Sequence, residues 1–377
     1  MGYKIAVFPG DGIGPELIES GIKIIRKSAE LDKFEIEFVK YPYGAEHYLE
    51  TKEVLSDKIL KSIKDSCHAV YCGTFENIKP EAGMNLRSVP AAIRSYFDQF
   101  IALRPIRMLP NVDSVLNNKS HEDINFVLLR ESTEDFYVGA SGTAKNGKNK
   151  SSIKVTKSSF KAKFGLGVET KGNEIAYQIG ILSRKGCDRF VRFSFDYAKS
   201  KGKNRIHFID KANLLEFYNF WRESVNKISK GYEGIEYEFN LIDSAAMHLI
   251  MQPEKYQLIA APNMFGDILG DLCTAIQGGL AFAAQGNINP EGISMFEPIH
   301  GSAPKLKDKG IVNPVATIWA AALMLDTIGQ QNASNLVIKS IESVLKEGKT
   351  RTQDLGGNNT TSEMADAIAD KLIGLHD

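Results

Sequence analysis

The sequence predicts an α/β protein, because short β-rich runs alternate along it with stretches patterned for helices. Two segments carry the prediction. "YKIAVF" (3–8) leads through a Gly/Pro turn into a helix-patterned run, and "YQLIAAPNMFGDILGDLCTAIQGGLA" (256–281) reads as strand, turn and helix. Composition agrees: 43% hydrophobic and 24% charged residues are ordinary for a globular chain of 377 residues.

The elements follow in order. After "YKIAVF" the spacing predicts a helix from Pro15 to about Leu31, then strands at "FEIEFVKY" (34–41) and "HAVYCG" (68–73). "PAAIRSYFDQF" (90–100) has helical spacing and runs into the strand "IALRPIRML". "INFVLLRESTEDFYVG" (124–139) is a buried strand entering a polar loop. "ASGTAKNGKNKSSIKVTKSS" (140–159) is the most polar stretch and predicts a projecting arm or mobile loop. An amphipathic helix at 186–202 precedes the strand "NRIHFID", and the chain ends in helices at 313–329 and 362–375.

The glycine-rich "PGDGIGPE" invites a phosphate-loop reading, but its spacing is G-x-G-x-G and not G-x-G-x-x-G. The next strand also ends on Lys40 and Tyr41, without the acidic residue a dinucleotide fold places there. A tight strand-to-helix turn, with Pro15 in the first helical turn, is the expectation. Lys+Arg and Asp+Glu are both 46, which argues against nucleic acid as the main partner. Four scattered cysteines without a C-x-x-C pair predict neither disulfides nor a zinc site. No apolar run reaches membrane-spanning length and no leader precedes Tyr3, so a cytoplasmic protein away from membranes is expected.

Chemistry concentrates in a few places. Asp267 and Asp271, four apart at a helix start, put two carboxylates on one face. Ile268, Leu269 and Leu272 are expected to draw that face inward, and paired carboxylates there call for Mg²⁺ or Mn²⁺. Arg94, Arg104 and Arg130 lie on a helix, after a strand and at a strand end, and together suit a polycarboxylate. Tyr137 is a candidate phenolic acid, and Lys211, just behind a strand, a candidate proton acceptor.

With "GDGIGPE", "IRSYFDQFIALRP", "LRESTEDFYVG", "DKANLL", "IDSAAMHLI", "NMFGDILGD", "FEPIHGSAP", "NPVATIWAAALML" and "DLGG" in this order, the chain resembles the β-decarboxylating dehydrogenases of isocitrate, 3-isopropylmalate, homoisocitrate and tartrate/D-malate. The resemblance implies a two-lobed, non-Rossmann α/β fold with mixed sheets. It implies a large cofactor domain from residues 1–99 and 279–377, and a small domain at 100–278 with an arm near 141–183. It also implies a homodimer with a shared active site. Asp267 and Asp271, with Asp243 supplied by the second subunit, would hold the metal. Lys211, also from the second subunit, would accept the hydroxyl proton, and Tyr137 would protonate C3. Arg94, Arg104 and Arg130, with Ser88, would hold the substrate. Asn213, Glu297, His300, Gly301, Ser302, Ala303, Lys305 and Asn313 would bind the cofactor.

Two stretches bear on specificity. "NLRSVPAAIR" is similar to the isocitrate motif R-S-x-N-x-x-x-R, except that Pro90 stands in the Asn position and offers no donor. "TEDFY" is also closer to the isocitrate and homoisocitrate forms, and the tartrate/D-malate "LWGS" is missing. Lys305 replaces the Asp with which NAD enzymes meet the ribose, while Leu306 and Gln353 replace the tyrosines of NADP enzymes. The expectation is NADP-linked oxidative decarboxylation of isocitrate, a small tricarboxylate. NAD-linked 3-isopropylmalate or homoisocitrate oxidation is the alternative, with a non-catalytic regulatory subunit behind it.

Overall fold

The computed structural model describes residues 2–76 and 88–376. In chain order the first half contains β1 (Gly2–Gly10), α1 (Gly14–Leu31), β2 (Glu35–Lys40), α2 (Ala45–Thr51), α3 (Asp57–Ser66), β3 (Ala69–Thr74), α4 (Val89–Tyr96), β4 (Ile101–Arg107) and β5 (Asn125–Glu131). Next come β6 (Ser141–Ala144), β7 (Gly147–Thr156), β8 (Lys161–Thr170), β9 (Ile175–Gln178), α5 (Arg184–Ser200), β10 (Arg205–Asp210), α6 (Asn219–Ile228), β11 (Glu236–Leu241) and α7 (Ile242–Met251). The last part holds β12 (Leu258–Ala261), α8 (Asn263–Ile276), β13 (Ala284–Ile288), β14 (Ser294–Pro298), α9 (Val315–Thr327), α10 (Gln331–Glu347) and α11 (Thr361–His376).

The chain divides into two compact units, Met1–Asn125 with Cys273–Asp377, and Phe126–Leu272. These boundaries differ from the expected 99/100 and 278/279. Residues 101–107 stay with the first unit because β4 pairs antiparallel with β13, Leu103 opposite Gly286.

The first unit orders its strands β4-β13-β14-β3-β1-β2. The pairs β1–β2, β1–β3 and β3–β14 are parallel, whereas β13 runs antiparallel to β14 and β4, so the sheet is mixed. β3 is buried along its whole length, and α9 is apolar on nearly all sides, as a helix at the centre of a core must be.

The turn between β1 and α1 is the tight connection expected of it. Gly10 and Gly12 have φ of 75° and 60°, and Pro15 lies in the first turn of α1. It does more than turn. A Cβ on Gly12 would sit 2.1 Å from the carbonyl oxygen of Ser302, and Ile13 N–H donates to that oxygen at 2.9 Å. The glycines therefore let this backbone press against the 300–303 loop.

The second unit orders its strands β11-β10-β12-β5, all parallel. The polar stretch read as an arm or mobile loop supplies β6 and β7, which pair antiparallel with β9 and β8 from the residues that follow it. Val138, Ala140 and Val155 form a small core there with Ile153, Phe160 and Phe164 packed on it. All four cysteines are buried thiols. Among the described residues no helix is long and apolar enough to cross a membrane.

Candidate active site

In the second unit, β5 delivers Arg130 at its C-terminal end, and the loop behind it carries Tyr137 in a short 3₁₀ turn, Phe136–Val138. Arg130 Nη1 donates to Asp267 Oδ1. Tyr137 OH donates to Asp267 Oδ2 at 3.1 Å, and the guanidinium lies 5.7 Å from the centre of the Tyr137 ring. Gly266 makes room for this, since a Cβ there would meet Arg130 Cβ at 2.7 Å. Partial burial, followed by the negative charge of Asp267, raises the Tyr137 phenol above its ordinary range and keeps it protonated.

The two carboxylates of α8 do not face inward. Phe265, Leu269 and Cys273 form the buried stripe, while Asp267 is half-buried and Asp271 and Ile268 are exposed. The apolar neighbours thought to pull Asp271 in lie on different faces: Leu269 is in the core and Ile268 is 57% exposed. Asp267 and Asp271 nevertheless share one helix face.

Lys211 follows β10 and Asp243 opens α7 after β11, so the parallel pairing of those strands brings the two together. Lys211 Nζ donates to Asp243 Oδ1 at 2.6 Å, which holds the Asp243 carboxyl below its ordinary range. The aspartate side chain is 63% exposed. Asp210, beside Lys211 in sequence, is structural: it is fully buried and takes two bonds from Arg222, at 2.6 and 2.8 Å. Among the described residues of one chain, no three His, Cys, Asp or Glu side chains are grouped to hold a metal ion. The donors at hand are all carboxylate oxygens, the chemistry a hard divalent cation takes.

The first unit contains Arg94 and Arg104. Arg104 is buried on β4 and donates through Nε to Gln285 Oε1 at 2.7 Å. Gln285 Nε2 reaches Glu297 at 3.3 Å, Asn287 reaches the same carboxylate at 2.8 Å, and Arg94 lies 3.8 Å from it. Gln285 and Asn287 thus link the two arginines, a role their plain strand context in the sequence does not announce. Glu297, expected to meet the cofactor, is engaged in this network. Ser88 occupies the N-cap position of α4 with no side-chain capping bond, and Pro90 sits in the first turn. Asn85, Leu86 and Arg87 of the same motif lie outside the described residues.

The first unit also has a pocket of ≈ 540 Å³, mostly apolar, lined by Ile13, Leu280, His300, Gly301, Ala303, Leu306, Asn313, Gln353 and Asp354 among others. Most of the expected cofactor residues are therefore in or beside one cavity. His300 is held neutral by burial, and among the described residues its buried Nε2 has no hydrogen-bond partner. That orphaned polar atom in an apolar cavity fits a ligand with a heterocyclic or hydroxyl group to offer. Asn313 supports the wall, donating to Asp354 at 3.0 Å and accepting from Val315 N–H at 3.0 Å. Ser302 Oγ bonds to Glu76, and Lys307 is clamped by Glu46 at 2.7 and 2.8 Å. Lys305 is exposed. Asn213 is an exposed residue of the turn after β10, in the second unit, and does not line this pocket.

Comparison with known proteins agrees with this geometry. Residues 4–368 match the family described as isocitrate/isopropylmalate dehydrogenase. The chain is 33% identical to D-malate dehydrogenase [decarboxylating] of Escherichia coli (strain K12), over 98% of both chains. It is 32% identical to 3-isopropylmalate dehydrogenase of Thermobifida fusca (strain YX), over 98% of this chain and 97% of the other. The solved isocitrate dehydrogenase from Methylococcus capsulatus superposes with a TM-score of 0.80 at 29% identity, covering 98% of this chain and 99% of that one. The chain belongs to the isocitrate/isopropylmalate dehydrogenase family and is an NAD(P)-dependent, β-decarboxylating dehydrogenase.

Proposed function

We propose that the protein oxidises and decarboxylates a 3-alkylmalate, of which 3-isopropylmalate is the leading member, with NADP as the preferred acceptor. The carrying observation is the first turn of α4. Val89 packs on the core and Pro90 follows it, so this turn presents apolar side chains, and Pro90 has no side-chain or backbone donor for a third carboxylate. Similarity to D-malate and 3-isopropylmalate enzymes supports the same direction, and the isocitrate expectation gives way to it. Isocitrate stays as the second reading because the Ser88 hydroxyl is not used in capping and is available to donate to a γ-carboxylate.

Asp267 and Asp271, with Asp243 of a second copy, would hold Mg²⁺ or Mn²⁺. When bound, the ion would supply Lewis acidity toward the C1 carboxylate and C2 hydroxyl, and the dinucleotide would supply the hydride acceptor. Lys211 Nζ, from the same second copy as Asp243, would remove the hydroxyl proton. Arg94, Arg104 and Arg130 fix the carboxylates, including the one lost as CO₂. Tyr137, kept protonated and aligned by Asp267, returns a proton to C3. Lys305, exposed beside the His300 pocket, would meet a 2′-phosphate. The role of a second copy is supported by the solvent-facing side of α7, where Met247, Ile250 and Met251 are 52%, 41% and 59% exposed on the same helix face as the exposed Asp243, and by Ile268 of α8, which is 57% exposed.

Initial rates with D-malate, 3-isopropylmalate, homoisocitrate and isocitrate, each with NAD and NADP, test the reading. The highest kcat/KM is expected for 3-isopropylmalate with NADP, abolished by EDTA and restored by Mg²⁺ or Mn²⁺. A clear preference for isocitrate overturns the substrate assignment, and turnover unaffected by EDTA overturns the metal site.

A further inference from the structure

Asn263 begins α8 and is 2% exposed. Asparagine at a helix start ordinarily caps, its side-chain oxygen accepting from N–H groups of the first turn. Here it does something else. Its Oδ1 accepts from Arg130 Nε at 3.0 Å and from Arg130 Nη2 at 2.7 Å, so one whole edge of the guanidinium rests on it. The first-turn N–H of Met264 is taken instead by the Asp135 carboxylate, at 2.9 Å. Asn263 Nδ2 donates to the carbonyl of Glu134 at 3.1 Å, which ties the same side chain to the loop leading to Tyr137. Asp135 completes the tie. It holds a positive φ of 68° and accepts from Tyr218 OH at 2.8 Å.

We propose that Asn263 is a positioning residue: it sets the plane of the Arg130 guanidinium, and with it the Glu134–Tyr137 loop, without cancelling the arginine's charge. This rests on the reading that Arg130 binds a substrate carboxylate. An amide is suited to the task because it is a neutral acceptor. Arg130 already meets one carboxylate, that of Asp267 at Nη1, and a second carboxylate gripping the other edge of the fork would add to that pairing and compete with the substrate for the guanidinium. The side chain also needs both ends of its amide. The oxygen faces the arginine and the NH₂ faces a carbonyl, so neither a hydroxyl nor an aliphatic group replaces it.

The test is a double-mutant cycle on the full-length enzyme, with Asn263→Asp and Arg130→Gln separately and together. Asn263→Asp is expected to raise the KM for the hydroxy acid at least about tenfold while leaving the KM for the dinucleotide unchanged, a split that a general loss of structure does not produce. In the Arg130→Gln background the same change is expected to have less than about a twofold effect, because the group it acts through is gone. Equal factors in the two backgrounds, or an unchanged substrate KM in the single variant, overturn the proposal. If Asn263→Asp does not fold, Asn263→Ala carries the same comparison, with a fall in kcat expected in place of the KM effect. An Arg130→Gln enzyme with unaltered kinetics refutes the underlying reading of Arg130 instead, so the two failures are distinguishable.

Discussion

Glu131→Gln is expected to stabilise the protein increasingly as pH rises from 4.5 to about 7, and to leave it unchanged at lower pH. Glu131 ends β5 and is 2% exposed, and its carboxylate accepts from Thr133 N–H at 3.0 Å and Glu134 N–H at 2.8 Å. Burial, and then the charge of Glu134, push its pKa from 4.5 up to about 7. Between those values the native state keeps a proton that the unfolded chain has released. The stability associated with the protonated form is therefore complete below pH 4.5 and is lost as pH rises through about 7. At about 1.4 kcal/mol per pH unit the interval amounts to about 3 kcal/mol, and the group is buried deeply enough that solvent screening takes little from it. Glutamine preserves an acceptor for the two amides and removes the charge. The chain has two tryptophans, Trp221 in the second unit and Trp319 in the first, both in the core. In a Trp319→Phe background, urea unfolding followed by Trp221 fluorescence at pH 5, 6, 7 and 8 reads the unit that contains Glu131. The variant should gain on its parent progressively from pH 5 to about pH 7 and level off by pH 8. A difference that stays constant from pH 5 to pH 8 refutes the reasoning.

Three further outcomes are expected. Asp267→Asn should cut turnover by about a hundredfold or more with an unchanged thermal midpoint, since both a metal carboxylate and the acceptor of Tyr137 are altered; near-native activity in limiting Mg²⁺ removes Asp267 from the metal site. Tyr137→Phe should slow proton delivery to C3 by about 10²–10⁴-fold while oxidation and CO₂ release persist better, which solvent-deuterium incorporation at C3 measures; unchanged incorporation excludes the phenol. Lys305→Asp should lower kcat/KM for NADP by about ten- to a hundredfold and favour NAD, and a static NADP/NAD ratio would mean that Lys305 is a solvated side chain only.

The alternation of strands and helices was legible because local periodicity creates it, and so was the Asp267/Asp271 face, which is a matter of spacing on one helix. Their exposure was not, because it depends on which of Phe265, Leu269 and Ile268 the rest of the unit covers. The β7–β8 pair was hidden by its lysines, although Ala162, Phe164, Leu166 and Val168 alternate as a half-buried strand should. Lys211 and Asp243 meet only through the pairing of β10 with β11, and Gln285 joins Arg104 only through its place in the sheet. Asn263 was concealed by looking ordinary, since a helix start is where asparagine is found anyway.

The way the first unit is divided along the chain has a consequence for synthesis. β3 and β4 are made early, but the strands that lie between them, β13 and β14, belong to residues 284–298, and the buried α9 follows at 315–327. A growing chain that has just left the ribosome therefore carries β1, β2, β3 and β4 without the centre of their sheet. The unit from Phe126 to Leu272 is continuous and can close as soon as it has emerged. Birth order and folding order are thus reversed: the segment made second is the first able to finish. The N-terminal strands must wait, their apolar faces uncovered, for the last quarter of the polypeptide. That interval is when a nascent-chain chaperone has something to hold, and a pause in translation ahead of β13 would lengthen it.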